Sequence, residues 1–329
     1  MRPAATVTAA IATTFLSLAC SGTEPTAVTM TPRAPSFAKG AESDAVYSPV
    51  LDRARQAYLA RNPNVALWSA ELRVKQGAAG WEGKTTLIAN DRGHTFGSEF
   101  VERDPRRGGG ADITYLVDQS DGSVLSFVPP SSVFLLPNSV TEPEVDASMA
   151  VWQNKAGCAA PAATKVADNG ADPDLVDGIV LADAGLIGTP FADVTHAGWL
   201  SSAFFNALTP GGATFILGAT FTFVFIDGDG NPTDIDRNGV ADVAFREIYY
   251  NRSFPWTTNA SNDFSVDIQS VVIHESGHAY GLGHFGKVFL DNNGFIRHSP
   301  LAMMNAVYVG SFRRLTGTDN GSFCQIWAN

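Results

Sequence analysis

The segment HESGHAYGLGH, from His274 to His284, constrains this chain more than any other stretch. His274 and His278 are four residues apart, so on a helix they project from one face about a turn apart. Glu275 lies between them and flanks the same space. Gly281 has no Cβ and can take the left-handed conformation that ends a helix and turns the chain back. That turn lets His284, six residues beyond His278, reach the same point. Three neutral imidazoles and a water describe an open tetrahedral zinc site, where zinc lowers the water's pKa to about 7 and polarises a carbonyl. A core helix with merely satisfied histidines would have to bury three of the chain's six beside a carboxylate, which is costly unless each finds a partner.

At 329 residues the chain has room for one large or two ordinary domains. Its 22 Lys+Arg against 33 Asp+Glu leave a net charge of −11, which repels phosphate backbones and argues against nucleic acid as a partner. The opening MRPAATVTAAIATTFLSLAC has a basic start at Arg2 and an apolar run to Ala19. That run is too short for a spanning helix and fits a signal peptide over residues 1–20. Either cleavage follows Ala19, or Leu18-Ala19-Cys20-Ser21 acts as a bacterial lipoprotein box and a lipid on Cys20 anchors the protein to a membrane. Both readings place the protein outside the cell, secreted or held at its surface. Cys158 and Cys324 then remain as a pair in an oxidising compartment, as a disulfide or as two buried thiols, and export favours the disulfide.

Residues 21–45 are rich in Ser, Thr, Pro and Ala and read as a disordered linker. A helical pattern near Val50 to Ala60 precedes strand-like runs such as ITYLVDQSDGSVLSFV, where Ser120-Asp121-Gly122 signals a hairpin turn. They predict a small β-rich domain over 46–138. A second domain, 139–329, opens with a helix in which Thr141 caps, Pro143 sits in the first turn and Glu144 closes a capping box. Strand candidates DGIVLAD, ATFILGATFTFVFID and VAFREIYYN follow, and then DIQSVVIHESGHAYG shifts to the helical period. The expected fold class is α+β. In DGDGNPTDIDRNGVAD, Asp234, Asp236 and Asn238 occupy the first, third and fifth positions of a calcium loop, Gly239 the sixth and Asp242 the ninth. Phe245 replaces the acidic twelfth ligand, so the stretch is either a weak Ca2+ site or a solvated acidic loop. Gly281-x-Gly283-x-x-Gly286 spells a dinucleotide fingerprint but follows a helix instead of a strand, which excludes that use.

With these residues in view, the chain resembles the metzincin metallopeptidases, and within them the matrixins. HESGHAYGLGH matches the clan's zinc signature HExxHxxGxxH. LAMMNAVY resembles the methionine turn beneath the zinc, with Met304 the equivalent residue and Met303 the reserve. LTGTDNGSFCQIW looks like the matrixin C-terminal helix, and EIYYN followed by Trp256 looks like the edge strand that flanks substrate. The resemblance covers roughly residues 140 to 329. It implies a metzincin-like catalytic domain, a twisted mixed sheet with a long zinc-binding helix and a C-terminal helix, preceded by the small β-rich domain.

The activity implied is that of a secreted, monomeric zinc endopeptidase acting on protein or peptide. His274, His278 and His284 would hold one Zn2+, and Glu275 would take a proton from the zinc's water and deliver it to the leaving amine. The substrate strand would pair with an exposed sheet edge. A reading of another class is a calcium-dependent, surface-binding lipoprotein that keeps the scaffold without turnover; the intact Glu275 speaks against it. Some residues depart from the family pattern. Phe285 stands where matrixins usually carry Ser or Thr, and no PRCGxPD segment offers a thiolate for latency. Ala306 replaces a tyrosine found in astacins and serralysins, leaving Tyr308 as a substitute or a core residue. His94, His196 and His298 lack the spacing of a second zinc site.

Overall fold

The computed structural model describes residues 48–77, 86–89, 98–120, 122–154, 158, 161–173, 175–181 and 190–327. The expected signal peptide, the linker, Cys20 and His94 lie outside these residues. In chain order the first elements are α1 (Pro49–Leu59), β1 (Val65–Lys75), β2 (Thr86–Ala89), β3 (Ser98–Glu99) and β4 (Ile113–Val117). Next come β5 (Val124–Val128), β6 (Ser132–Leu136), α2 (Asn138–Gln153), β7 (Ala163–Lys165), α3 (Leu175–Val180), β8 (Val194–Leu200) and α4 (Ser202–Leu208). The last are β9 (Ile216–Phe225), β10 (Ala241–Asn251), β11 (Trp256–Thr257), β12 (Val266–Asp267), α5 (Ile268–Ala279), β13 (Lys287–Leu290), β14 (Ile296–Ser299), β15 (Val307–Tyr308) and α6 (Gly317–Trp327). Among the described residues no helix is long and apolar enough to cross a membrane.

Among the described residues the fold is mixed α/β, with six α-helices around a mixed nine-stranded sheet ordered β15-β1-β9-β10-β8-β4-β7, to which β2 and β3 add. The run β10-β8-β4-β7 is parallel, whereas β9 is antiparallel to both β10 and β1. All eleven residues of β10 are buried, as expected of a strand covered on both faces. Because successive side chains alternate between faces, two cores form. Val145, Met149 and Trp152 of α2, Val271 and Val272 of α5 and Phe323 of α6 pack on one face with Leu217, Ile248 and Tyr250. Leu51 and Tyr58 of α1, Leu175 of α3 and Phe204 and Phe205 of α4 pack on the other with Leu72, Val74, Phe221 and Phe223.

Several expectations change. The expected boundary between 138 and 139 falls within this arrangement, because β1 and β4 from before it pair with β9 and β8 from after it. No hairpin joins the halves of ITYLVDQSDGSVLSFV: β4 pairs with β7 and β8, while β5 pairs with β6. α2 begins at Asn138, which places Pro143 inside it and leaves Thr141 buried without a capping role. Within DGIVLAD, residues up to Val180 belong to the short helix α3, not a strand. EIYYN belongs to β10, an interior strand, so it is not the substrate-flanking edge.

Candidate metal centre

α5 is capped by Asp267, whose carboxylate accepts the Ser270 N–H at 3.0 Å and pairs with Arg313. This is a side-chain cap on the otherwise unpaired first turn. The Tyr308 hydroxyl accepts the Asp267 N–H at 3.0 Å, which makes Tyr308 a buried brace for the helix start. Just past the end of α5, Gly281 with a φ of +93° reverses the chain, and the Leu282 N–H bonds back to the Gly277 carbonyl at 3.0 Å. A Cβ at Gly281 would lie 2.9 Å from the Ser98 carbonyl oxygen, so no larger residue fits this turn. Gly277 is small for a different reason: a Cβ there would sit 2.3 Å from the Met304 sulfur and 2.8 Å from Trp152. Met304 thus packs directly beneath the histidine-bearing turn of α5.

The three histidines converge. Nε2 of His284 lies 3.2 Å from Nε2 of His274 and 3.2 Å from Nε2 of His278. Around a tetrahedral zinc with Zn–N bonds of about 2.0–2.1 Å, ligand nitrogens lie about 3.3 Å apart. The donor set therefore fits zinc in number, type and spacing. The Nδ1 atoms are held from behind. His274 Nδ1 lies 2.8 Å from the Met303 carbonyl oxygen, and His278 Nδ1 donates to the Leu282 carbonyl at 2.7 Å. His284 Nδ1 lies 3.5 Å from the Glu71 carboxylate. A carbonyl can only accept, so His278 carries its proton on Nδ1 and turns the Nε2 lone pair inward, whereas His274 Nδ1 faces both the Met303 carbonyl and the Arg73 guanidinium. Burial pushes all three pKa values down, His278 to about 3, which keeps the rings neutral as ligands must be.

Glu275 is fully buried beneath β9. The Thr220 hydroxyl donates to its Oε2 at 2.6 Å, and its Oε1 has no hydrogen-bonding partner among the described residues. Burial pushes its carboxyl up to about 8, opposed by the Thr220 hydrogen bond and the Arg73 charge. A Cβ at Gly218 would lie 2.7 Å from Oε1, so the glycine makes room for the carboxylate.

Sequence reasoning missed three residues here. Glu71 and Arg73 come from β1, more than two hundred positions upstream, and both are buried. Arg73 Nη1 donates to the Met303 carbonyl at 2.8 Å and abuts His274 Nδ1. No local pattern marks these two residues. The third, Asp319 of α6, accepts the N–H groups of Met303 at 3.0 Å and Met304 at 3.1 Å while capping its own helix through Thr316. Its signal was present as the capping spacing Thr316-x-x-Asp319.

Of the remaining expectations, Cys158 and Cys324 form a disulfide, with Cα atoms 5.3 Å apart, next to the core under α6. His196 contacts the Tyr250 hydroxyl and His298 the Val307 carbonyl, each away from the cluster. Asp234, Asp236 and Asp242 come together, but Asp242 is paired with Arg106 at 2.7 Å and accepts the Thr233 hydroxyl at 2.6 Å. Asn238 donates to Asp236 at 3.0 Å and to Glu99, a neighbour the sequence did not suggest. No protein-family model and no curated protein matches this chain.

Proposed function

We propose that the chain is a zinc-dependent endopeptidase of the metzincin type, matrixin-like in its signature, that works outside the cell as a monomer. The observation that carries this reading is the convergence of three neutral imidazole Nε2 atoms, 3.2 Å apart in two of their pairs, with an intact glutamate next to the first. His274, His278 and His284 would hold the ion, which when bound supplies a Lewis acid for a peptide carbonyl and for an attacking water. The chain's own residues then handle the proton. Glu275, oriented by Thr220, takes it from the attacking water and returns it to the leaving amine. The Leu282 carbonyl holds the His278 ring in one tautomer throughout. Ca2+ at Asp234, Asp236, Asn238 and Asp242, export through residues 1–20 and a lipid on Cys20 belong to the same proposal. The non-catalytic lipoprotein is the rival.

Metal analysis together with cleavage of a quenched peptide library decides between them. Peptidase activity of the chain once β1 is displaced, lost to a chelator and restored by zinc, is expected. A zinc-replete protein that cleaves no peptide, even after its chain has been cut behind β1 as described below, would favour the rival.

A further inference from the structure

β9 is the strand that touches Glu275, through Gly218 and Thr220, and is therefore the strand beside which an extended substrate would lie. Its outer edge is not open. β1 runs antiparallel along it from Val65 opposite Phe225 to Val74 opposite Ile216. Arg73 stands opposite Gly218 and Glu71 opposite Thr220, so these two alternate side chains fall on the α5 face, directly at the histidines. Glu71 lies against His284 and Arg73 against His274. His274 and His278 are 0% and 3% exposed and the His284 side chain 15%, so the cluster offers little surface to a peptide.

We propose that β1 is a built-in stand-in for the substrate strand, so that the chain as it stands is a latent form and displacement of Pro49–Lys75 opens the site to an extended peptide. The inference rests on the peptidase reading of the same site. β-Strand addition supplies the affinity, because main-chain hydrogen bonds along β9 are the same whichever chain makes them. β1 is not itself a substrate in this position, because charged side chains and not a backbone carbonyl face the histidines. A guanidinium fixed to the Met303 carbonyl and a buried carboxylate fill the space that water and a scissile bond require.

Displacement leaves the strands β9-β10-β8-β4-β7 contiguous; β15 loses the pairs Val74–Val307 and Lys75–Tyr308, β2 loses its pairing with Ser69–Glu71, and the core under α3 and α4 loses Leu51, Tyr58, Leu72 and Val74. α1 and β1 are consecutive, and the exposed turn at Gln76 and Gly77 follows them directly. One cut there frees both elements together.

The test places a recognition sequence for a specific protease in the Gln76–Gly77 turn of the full chain and loads the protein with zinc. Binding of a fluorescent peptide hydroxamate, a zinc-chelating probe, is measured before and after the cut. The intact chain should refuse the probe, the cut chain should bind it at least roughly tenfold more tightly, and a synthetic peptide of residues 65–75 should restore the block. As a second arm without a cut, Glu71→Ala combined with Arg73→Ala should speed zinc loss to a chelator at least about tenfold, since the plug shields the ion. An intact chain that binds the hydroxamate as well as the cut chain overturns the proposal. So does a cut chain that has released its N-terminal fragment, retains zinc and still refuses the probe. Probe binding without peptide cleavage upholds the strand's role and counts against the peptidase reading alone.

Discussion

His274, His278 and His284 turn their Nδ1 atoms outward onto Met303, Leu282 and Glu71 and their Nε2 atoms inward on one another. Asp234, Asp236 and Asp242 do the reverse. Asp234 accepts the N–H groups of Asn238 and Gly239 from its own loop, and Asp242 accepts Arg106, Thr233 and Ile235. Both groups bring donor atoms together, yet only in the first do the surroundings use the far side of each side chain and leave the near side convergent. Ligand chemistry in a sequence becomes a preorganised centre when a second layer of contacts fixes each ligand's orientation. The histidines have that layer, whereas the exposed Asp234 and Asp236 have their own loop and the buried Asp242 is already paired with Arg106.

The largest effect should follow from removing a ligand. His278→Ala leaves two imidazoles and a buried Leu282 carbonyl without its donor. Dialysed protein should fall from about one zinc per chain to none, because two nitrogen ligands do not make a structural or catalytic zinc site. If the variant keeps its zinc at unchanged affinity, the convergence of the Nε2 atoms is not what binds the ion.

Glu275→Gln should come next. It keeps the volume and the Thr220 contact but cannot take a proton. With zinc content unchanged, kcat/KM of the opened form should drop roughly 10²–10⁴-fold. Near-normal turnover by this variant would remove Glu275 from the proposed chemistry while leaving the metal site intact.

A smaller loss should follow from undoing the layer behind the ligands. Asp319 is buried and ties α6 to the turn whose Met303 carbonyl holds His274. Asp319→Ala frees two backbone N–H groups in that turn and should weaken zinc binding about 10–100-fold, the usual range for lost outer contacts. Zinc competition against a calibrated chelator measures it. Unchanged affinity would mean that Arg73 alone fixes the Met303 carbonyl.

What the sequence shows of this centre, and what it hides, follows from distance along the chain. The three histidines, Glu275 and the turn glycine sit within eleven residues, and helix geometry alone relates them. β9 and β10 are legible as long apolar runs, though nothing local says that β10 lies inside the sheet and that β9 faces β1. That depends on pairing between residues some 150 positions apart, and strand register follows from which faces are buried. DGIVLAD fails for a related reason: six apolar-rich residues suit a short buried helix as well as a strand. Glu71 and Arg73 look like solvated charges in a strand until the ladder with β9 delivers them to α5. The division at residue 138 fails with them, because the β-rich N-terminal stretch contributes strands to the same sheet.

The smallest effect belongs to the aspartate loop, where calcium has to compete with contacts already made. Asp242 is 1% exposed and already faces the Arg106 guanidinium, so it is a poor ligand for a second cation. Asp234, Asp236 and the Asn238 side chain remain near Glu99. Burial and the neighbouring Asp236 raise the Glu99 carboxyl to about 7, and burial and then Asp234 raise Asp236. A divalent cation would relieve that crowding of like charges. With a Kd of about 10⁻⁴–10⁻³ M, as in extracellular modules, 1 mM Ca2+ would add about 0.4–1.4 kcal/mol to stability by mass action. That corresponds to a rise in Tm of roughly 1–5 °C for a domain of this size. Asp234→Asn with Asp236→Asn should abolish the rise and leave zinc content unchanged, since the loop shares no ligand with the histidines. If the wild-type melting curve does not respond to millimolar Ca2+, the loop holds itself by its own hydrogen bonds, and the contrast between the two clusters is one of kind and not of degree.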